Sequence, residues 1–396
     1  MGGIGKTTLA QLVFKDKRVN KTFDTKEWIT VGDDKVDCLK VMKLVIEKVT
    51  SKKCKIEEPY DLQEEVKKVL RVKKFLFVVD DVWDEDPSKW DVLNNCFKSG
   101  LHGSRIIVTT RSVAVATIMK TGSTFELGRI NEAASWQLFA KHASLVVDSN
   151  DYLDLKQVGE KIVDKCKGLP LAITSMGCLL RGRQKKKEWN NILNSDIWEL
   201  YDRKEVKILP ALWLSYFNLR PELKQCFAYC SLFPKDYHFR KGEMVLLWMA
   251  EGLLQSANEK RVEEVGEEYF EDLISMSFFQ PSNKDQGYPT FLMHDLIHDL
   301  AIFVSSEFCL MMDNRSKCAH KVRHFSYMQR CAKTDNPKEF EDLFKAKCLR
   351  TILWEQDLSQ QLRMLKIEEL DKSFPGLRVL SLYDYSIPSF LIQSAI

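Results

Sequence analysis

The sequence predicts an α/β domain on a parallel sheet, then helical blocks, then a short run of leucine-spaced strands. Three observations carry this. A glycine-rich turn, Gly2 to Thr8 (GGIGKTT), runs straight into a helical pattern. Continuously apolar β-rich runs alternate with helical stretches up to about Leu127. Beyond that point the β signal fades and period-3.6 patterns take over until the last fifty or so residues.

The β-rich runs are Glu27 to Val31, Phe75 to Val79, Arg105 to Thr110 and Thr124 to Leu127. Leu39, Met42, Ile46 and Val49, then Leu62, Val66 and Leu70, recur near helical period between the first two. Apolar strands separated by helices imply a parallel sheet covered on both faces. After the opening turn, Leu9, Leu12 and Val13 are expected to give the first helix a buried face.

Downstream, Trp136, Phe139 and Ala143 mark one helix and Leu155, Val158, Ile162 and Cys166 another, stopped by Gly168 and Pro170. The basic stretch 181–187 (RGRQKKK) reads as a solvated connection. Helical repeats in Leu212 to Leu219, Leu223 to Phe233 and Met244 to Leu254 suit a winged-helix module, which raises DNA binding. Its candidate recognition helix, Gly242 to Leu253, contains no lysine or arginine, so packing outweighs DNA reading. Leu377, Leu380 and Leu382, followed by Ile387, have L-x-x-L-x-L spacing, and Leu349, Ile352 and Trp354 form a weaker copy 28 residues earlier. The predicted domains are 1–128 (the α/β domain that opens on the glycine-rich turn), 129–204 (helical), 205–305 (winged helix), 306–345 (linker) and 346–396 (start of leucine-rich repeats).

Composition bounds the function. With 59 basic against 56 acidic residues, the net charge of +3 does not make nucleic acid or an anionic membrane a default partner. No apolar run reaches the ~18 residues of a membrane helix and no signal peptide is evident, so a cytoplasmic location is expected. The 11 cysteines include no zinc-type C-x-x-C pair and read as reduced, mostly buried side chains.

The chemistry concentrates at the opening turn. In a G-x-x-x-x-G-K-[ST] loop, glycines let backbone N–H groups converge on phosphate oxygens at a helix N-terminus. Gly2, Gly3 and Gly5 supply the backbone, Lys6 the cation for the β- and γ-phosphates, and Thr7 a hydroxyl for Mg²⁺. The run Phe75 to Asp81 (FLFVVDD) delivers Asp80 to the C-terminal edge of the sheet as a second metal partner. Asp81 is suited either to orienting or deprotonating water or to capping the turn. Arg111 reaches the same edge, to read a γ-phosphate or to form a surface ion pair. His294 to His298 (HDLIH) resembles a zinc-protease H-E-x-x-H, but the aspartate is one methylene short, no third histidine follows and the helix is apolar.

These motifs together resemble the NB-ARC module of plant intracellular immune receptors of the nucleotide-binding, leucine-rich-repeat type, over nearly the whole chain. The resemblance rests on GGIGKTT (2–8), FLFVVDDVW (75–83), GSRIIVTTR (103–111), CKGLPLAI (166–173), CFAYCSLFPKDY (226–237) and MHD (293–295). Trp83, Phe23 to Val31 and the CFAYCSLFP block are similar to the branch with an amino-terminal coiled coil. The resemblance implies an ADP/ATP switch, at most a slow ATPase, that takes part in defence against pathogens. It assigns Gly3, Gly5, Lys6, Thr7 and Thr8 to phosphate and Mg²⁺, Asp80 to the metal, Asp81 to catalysis, Arg111 to the terminal phosphate, Pro170 to the base and His294 to the ADP β-phosphate. Implied partners are a pathogen effector or a guarded host protein, read through further repeats, with an oligomer when active and no direct nucleic acid contact. Met1 stands at the second position of the loop, without the strand that normally precedes it. A fragment with weak nucleotide binding by itself is therefore expected; the alternatives are a DNA-binding ATPase regulator or an inactive truncated gene product.

Overall fold

The computed structural model describes residues 1–31, 37–120, 122–145, 152–202, 208–255, 260–282, 288–311, 321–327, 346–354 and 374–382. The chain divides into two compact units, Met1–Arg129 and Ile130–Ile396.

The first unit is a parallel sheet in the order β1 (Thr25–Thr30), β2 (Phe75–Val82), β3 (Arg105–Thr110). Its helices are α1 (Lys6–Lys15), α2 (Lys17–Thr22), α3 (Cys38–Thr50), α4 (Pro59–Leu70), α5 (Pro87–Phe97) and α6 (Val113–Ile118). In β2 every residue but Asp81 is buried, as a central strand covered on both faces requires. Phe75, Phe77 and Val79 point into a core with Met42, Val45, Leu62, Val66 and Trp90 from α3, α4 and α5, while Leu76 and Val78 alternate to the opposite face.

Two expectations are corrected here. The run 124–127 is not a strand: Phe125 is exposed and Leu127 only half-buried, so the segment gains too little burial to pull it onto the sheet. In α1 the buried residue is Ala10, whereas Leu9, Leu12 and Val13 are exposed. The helix lies against β2 and β3 through its small residue, which turns the larger apolar stripe outward.

The second unit opens with α7 (Glu132–Ala143), α8 (Tyr152–Lys165), α9 (Pro170–Leu180) and α10 (Lys186–Leu193). Nine of the eleven residues of α9 are buried, which explains its lack of amphipathic periodicity: it is the hub of this bundle. Then come α11 (Pro210–Phe217), α12 (Pro221–Tyr229), α13 (Lys241–Glu251), α14 (Val262–Ser275) and α15 (Asp295–Ser305), with an antiparallel wing of β4 (Gln280–Ser282) and β5 (Thr290–Leu292). The candidate DNA-recognition helix, α13, begins one residue earlier than expected and so includes one lysine, Lys241, which is paired with Glu271 at 3.1 Å; the helix buries Met244, Val245 and Trp248.

The unit ends in a parallel sheet ordered β6 (Cys309–Met311), β7 (His324–Tyr327), β8 (Thr351–Trp354), β9 (Val379–Leu382). Ile352 pairs with Leu380 and Trp354 with Leu382, so the 28-residue period of the sequence is the register of the sheet. The segment read as a linker, 306–345, contributes β6 and β7 to it. Ile387 lies outside the described residues. Among the described residues no helix is long and apolar enough to cross a membrane.

Candidate functional site

The site forms where the opening turn meets the C-terminal ends of β2 and β3. Gly3 (φ 71°) and Gly5 (φ 98°) adopt left-handed backbone, and Gly5 is the N-cap of α1. A side chain at Gly5 would meet no neighbour, so glycine is required by its backbone conformation rather than by crowding. The turn delivers Lys6, Thr7 and Thr8 as the first residues of α1, a helix N-terminus whose backbone N–H groups and dipole favour an anion. The Lys6 ammonium donates to the Met1 carbonyl at 2.9 Å.

The Thr7 hydroxyl donates to Asp80 Oδ1 at 3.0 Å, and Thr109 donates to the same oxygen. Thr109 also accepts the Asp81 N–H at 2.9 Å, so one β3 hydroxyl fixes both neighbouring aspartates. The cause is a bulge. Val79 pairs with Val108 and Val82 with Thr110, which puts one more residue in β2 than in β3. Asp80 and Asp81 occupy the bulge, and Asp81 takes left-handed backbone (φ 54°). Adjacent residues that a regular strand would send to opposite faces are thereby both brought to the sheet edge.

Asp80 is 5% exposed. Burial pushes its carboxyl up from the usual range, and the Thr109 and Thr7 hydroxyls pull it part of the way back. Asp81 faces outward. It accepts from the Trp83 indole at 3.1 Å and pairs with Arg111 at 3.5 Å, while the Arg111 guanidinium stacks 5.0 Å over Trp83. Ser112 donates to Glu85 at 2.6 Å and ties together the two loops that leave the edge. Of the predicted residues, Gly2, Gly3, Gly5, Lys6, Thr7, Thr8, Asp80, Asp81 and Arg111 all lie in this first unit.

Pro170 and His294 belong to the second unit. Pro170 is the first residue of α9, after successive left-handed residues Lys167 and Gly168. His294 caps α15: its Nδ1 accepts the Leu296 N–H at 3.1 Å. His298 is buried, and its Nε2 donates to the Phe233 carbonyl at 2.6 Å. Each histidine of HDLIH thus has a ring nitrogen committed to backbone. Among the described residues no group of histidine, cysteine and acidic side chains is arranged to hold a metal.

Comparison with known proteins gives this geometry a family. Residues 1–147 match the NB-ARC domain and 232–301 the winged-helix domain of disease resistance proteins. The chain belongs to the NB-ARC family of plant disease resistance proteins. It is 39% identical to a putative disease resistance RPP13-like protein 1 of Arabidopsis thaliana, over 98% of this chain and 37% of that protein. It is 40% identical to the putative disease resistance protein RGA1 of Solanum bulbocastanum, over 76% of this chain and 30% of that protein. The chain thus spans about a third of the length of these relatives. Among solved structures it is similar to the Aeropyrum pernix ORC2 protein at 13% identity, over 76% of this chain and 84% of that one, with a TM-score of 0.34, too loose to carry an argument.

Within the NB-ARC domain, sequence reasoning did not single out Thr109 as a site residue or Trp83 as the platform for Arg111. The available signal for Thr109 was a hydroxyl pair ending an otherwise apolar strand, RIIVTT. Its partner on β2 follows from the bulge, which depends on strand pairing.

Proposed function

We propose that this NB-ARC chain is the nucleotide switch of a plant immune receptor, resting with ADP and activated by exchange for ATP. The observation that supports it best is the Thr7–Asp80–Thr109 cluster beneath a left-handed glycine turn that opens a helix.

The residues present fit a Mg²⁺-bound nucleotide. Thr7 and Asp80 offer oxygen donors only, the set a hard divalent cation selects, and a carboxylate disfavoured by burial gains from a cation beside it. When bound there, Mg²⁺ would neutralise charge on the phosphate oxygens. Gly2, Gly3, Gly5 and Thr8 supply backbone amides, and Lys6 supplies the cation for the terminal phosphates. Arg111 has a double use: a γ-phosphate would compete with Asp81 for the guanidinium, leaving the Asp81 carboxylate to orient water for slow hydrolysis. Pro170 against the base and His294 on the ADP phosphate are assigned by family resemblance. The coiled-coil branch, leucine-rich repeats after β9 and recognition of an effector or guarded host protein belong to the same reading.

A switch of this kind is energetically adequate. Moving a population from 1:99 to 99:1 needs about 5.5 kcal/mol of differential binding. Two or three charge-assisted bonds made to only one nucleotide, at ~1.5–3 kcal/mol each, supply it.

The test is titration with ADP and with Mg·ATP in a folded, monodisperse polypeptide that extends this sequence upstream of Met1. Lys6→Ala should weaken both nucleotides by roughly tenfold or more, Asp80→Asn should abolish the Mg²⁺ dependence, and His294→Ala should speed ADP release. Failure to capture either nucleotide at millimolar concentration would overturn the switch.

A further inference from the structure

Within the second unit, the start of the repeat sheet and the ends of α13 and α15 surround a cleft of about 440 Å³, a volume in the range of small-molecule sites. The residue immediately before each of β7, β8 and β9 is an arginine. All three, Arg323, Arg350 and Arg378, line the cleft together with Lys224 of α12.

The sheet sets their spacing. Arg350 N–H donates to the Arg323 carbonyl at 2.6 Å and Arg378 N–H to the Arg350 carbonyl at 2.7 Å, so the three backbones occupy one register position on neighbouring strands, ~4.8 Å apart. Like charges side by side on adjacent strands repel. Among the described residues no carboxylate lies within ion-pair distance of these guanidiniums or of the Lys224 ammonium. Arg323 stacks on Phe308 at 5.2 Å and Lys224 lies 5.6 Å from the Tyr216 ring, contacts that hold the stems without neutralising the charges. Arg378 is held by backbone: its Nη1 donates to the Glu251 carbonyl at 2.8 Å and lies 3.3 Å from where a Cβ on Gly252 would stand.

Glu251 is the acidic side chain of the cleft wall, and it is 3% exposed. Its Oε1 accepts from the Thr351 hydroxyl and lies 3.6 Å from His324 Nδ1, whereas Oε2 has no hydrogen-bond partner among the described residues. A buried carboxylate oxygen without a donor is costly. The wall thus combines cations short of an anion with a deep acceptor short of a donor.

We propose that this cleft binds a small phosphorylated polyol, with its phosphates on the arginines and Lys224 and a hydroxyl donating to Glu251 Oε2. Guanidinium forks take phosphate oxygens in pairs, and the bound anion offsets the repulsion along the row of arginines. A hydroxyl suits Oε2 because it donates without placing another positive charge beside four cations, as an ammonium would. This site uses no residue of the glycine turn and does not rest on the switch.

The experiment is calorimetric titration of the intact chain and of Lys6→Ala, which disables the glycine turn, with fructose bisphosphate, inorganic pyrophosphate and phosphatidylcholine vesicles containing phosphatidylinositol bisphosphate. Fructose bisphosphate should bind both chains alike at a single site, weaken in high salt and bind roughly tenfold tighter than pyrophosphate, which carries no polyol hydroxyl. Arg323→Gln and Arg350→Gln should each weaken it by roughly tenfold. Glu251→Gln should leave pyrophosphate no weaker while removing most of the preference for the polyol. Because Arg323 and Arg350 make no side-chain hydrogen bond among the described residues, the ligand-free urea midpoints of their variants should stay at or above the wild-type value. Lack of saturable binding at millimolar concentration, unchanged affinity in the arginine variants or lowered midpoints in them overturns the anion site. Binding lost in Lys6→Ala assigns the ligand to the glycine turn and overturns it as well. Vesicles bound in preference to fructose bisphosphate overturn a soluble ligand, and an unchanged polyol preference in Glu251→Gln overturns the hydroxyl contact.

Discussion

Asp80 sits between conflicting demands. Its carboxylate is wanted at the sheet edge, where a cation and phosphates would gather, yet the strand that carries it there is buried. Thr7 and Thr109 donate hydrogen bonds that keep the charge tolerable without removing the burial cost. The sign of the pH dependence follows. A carboxyl raised in the native state above its unfolded value of about 3.9 binds more protons folded than unfolded over that interval, so its contribution falls as pH rises through it. In EDTA, urea midpoints measured from pH 4 to pH 7 should show this loss in the wild type and a smaller one in Asp80→Asn. Identical pH slopes would mean that burial does not strain Asp80. At the same scale, Arg111 and Asp81 were each read from sequence with a functional and a plain structural alternative. Their 3.5 Å pairing over Trp83 makes both an ion pair and a reachable phosphate site compatible, because the pair is partly exposed and exchangeable.

Among the elements, α8 and α9 show how far periodicity reaches. The spacing of Leu155, Val158 and Ile162 marks the buried face of α8, and these residues are buried. What periodicity cannot express is Gly159, on that same face. A Cβ there would meet Trp136 and Trp189 at 2.9 Å and Phe139 at 3.1 Å. The glycine is a packing requirement set by three rings from α7 and α10. Gly159→Ala should destabilise by about 1–3 kcal/mol through overpacking, even though alanine is the better helix former. A denaturant midpoint at or above the wild-type value would contradict this packing. Strand-forming tendency was likewise legible at β1, β2 and β3 and misleading at 124–127, where no neighbouring strand or core rewards the extended segment. The stripe of Leu9, Leu12 and Val13 in α1 has helical spacing, but which face of a helix is covered depends on what lies beside it.

Across the second unit, helices and repeat strands are joined by a buried polar cluster rather than by apolar packing alone. The Glu251 carboxylate, at the end of α13, accepts from the Thr351 hydroxyl of β8, which also contacts Tyr229 of α12 at 3.2 Å and His324 of β7 at 3.1 Å. Arg378, just before β9, donates to the Glu251 carbonyl at 2.8 Å. Thr351→Val keeps the shape but removes the hydroxyl, leaving a buried carboxylate short of its donor at a cost of about 1–3 kcal/mol. Equilibrium unfolding should register that loss, and a neutral result would show that the cluster does not fasten the sheet. By itself the sequence determined the elements with strong local signals: the glycine turn, the acid-ended strand, the long helices and the 28-residue repeat. These depend on backbone permissiveness, side-chain volume and spacing, which neighbours along the chain already fix. Only the tertiary structure decided the bulge that aims Asp80 and Asp81 together, the Thr109 hydroxyl shared between them and the covered face of α1. The anchoring of β8 to α13 was decided there too. Each of these is a contact between groups far apart in sequence, and its energy exists only once strands pair and helices dock.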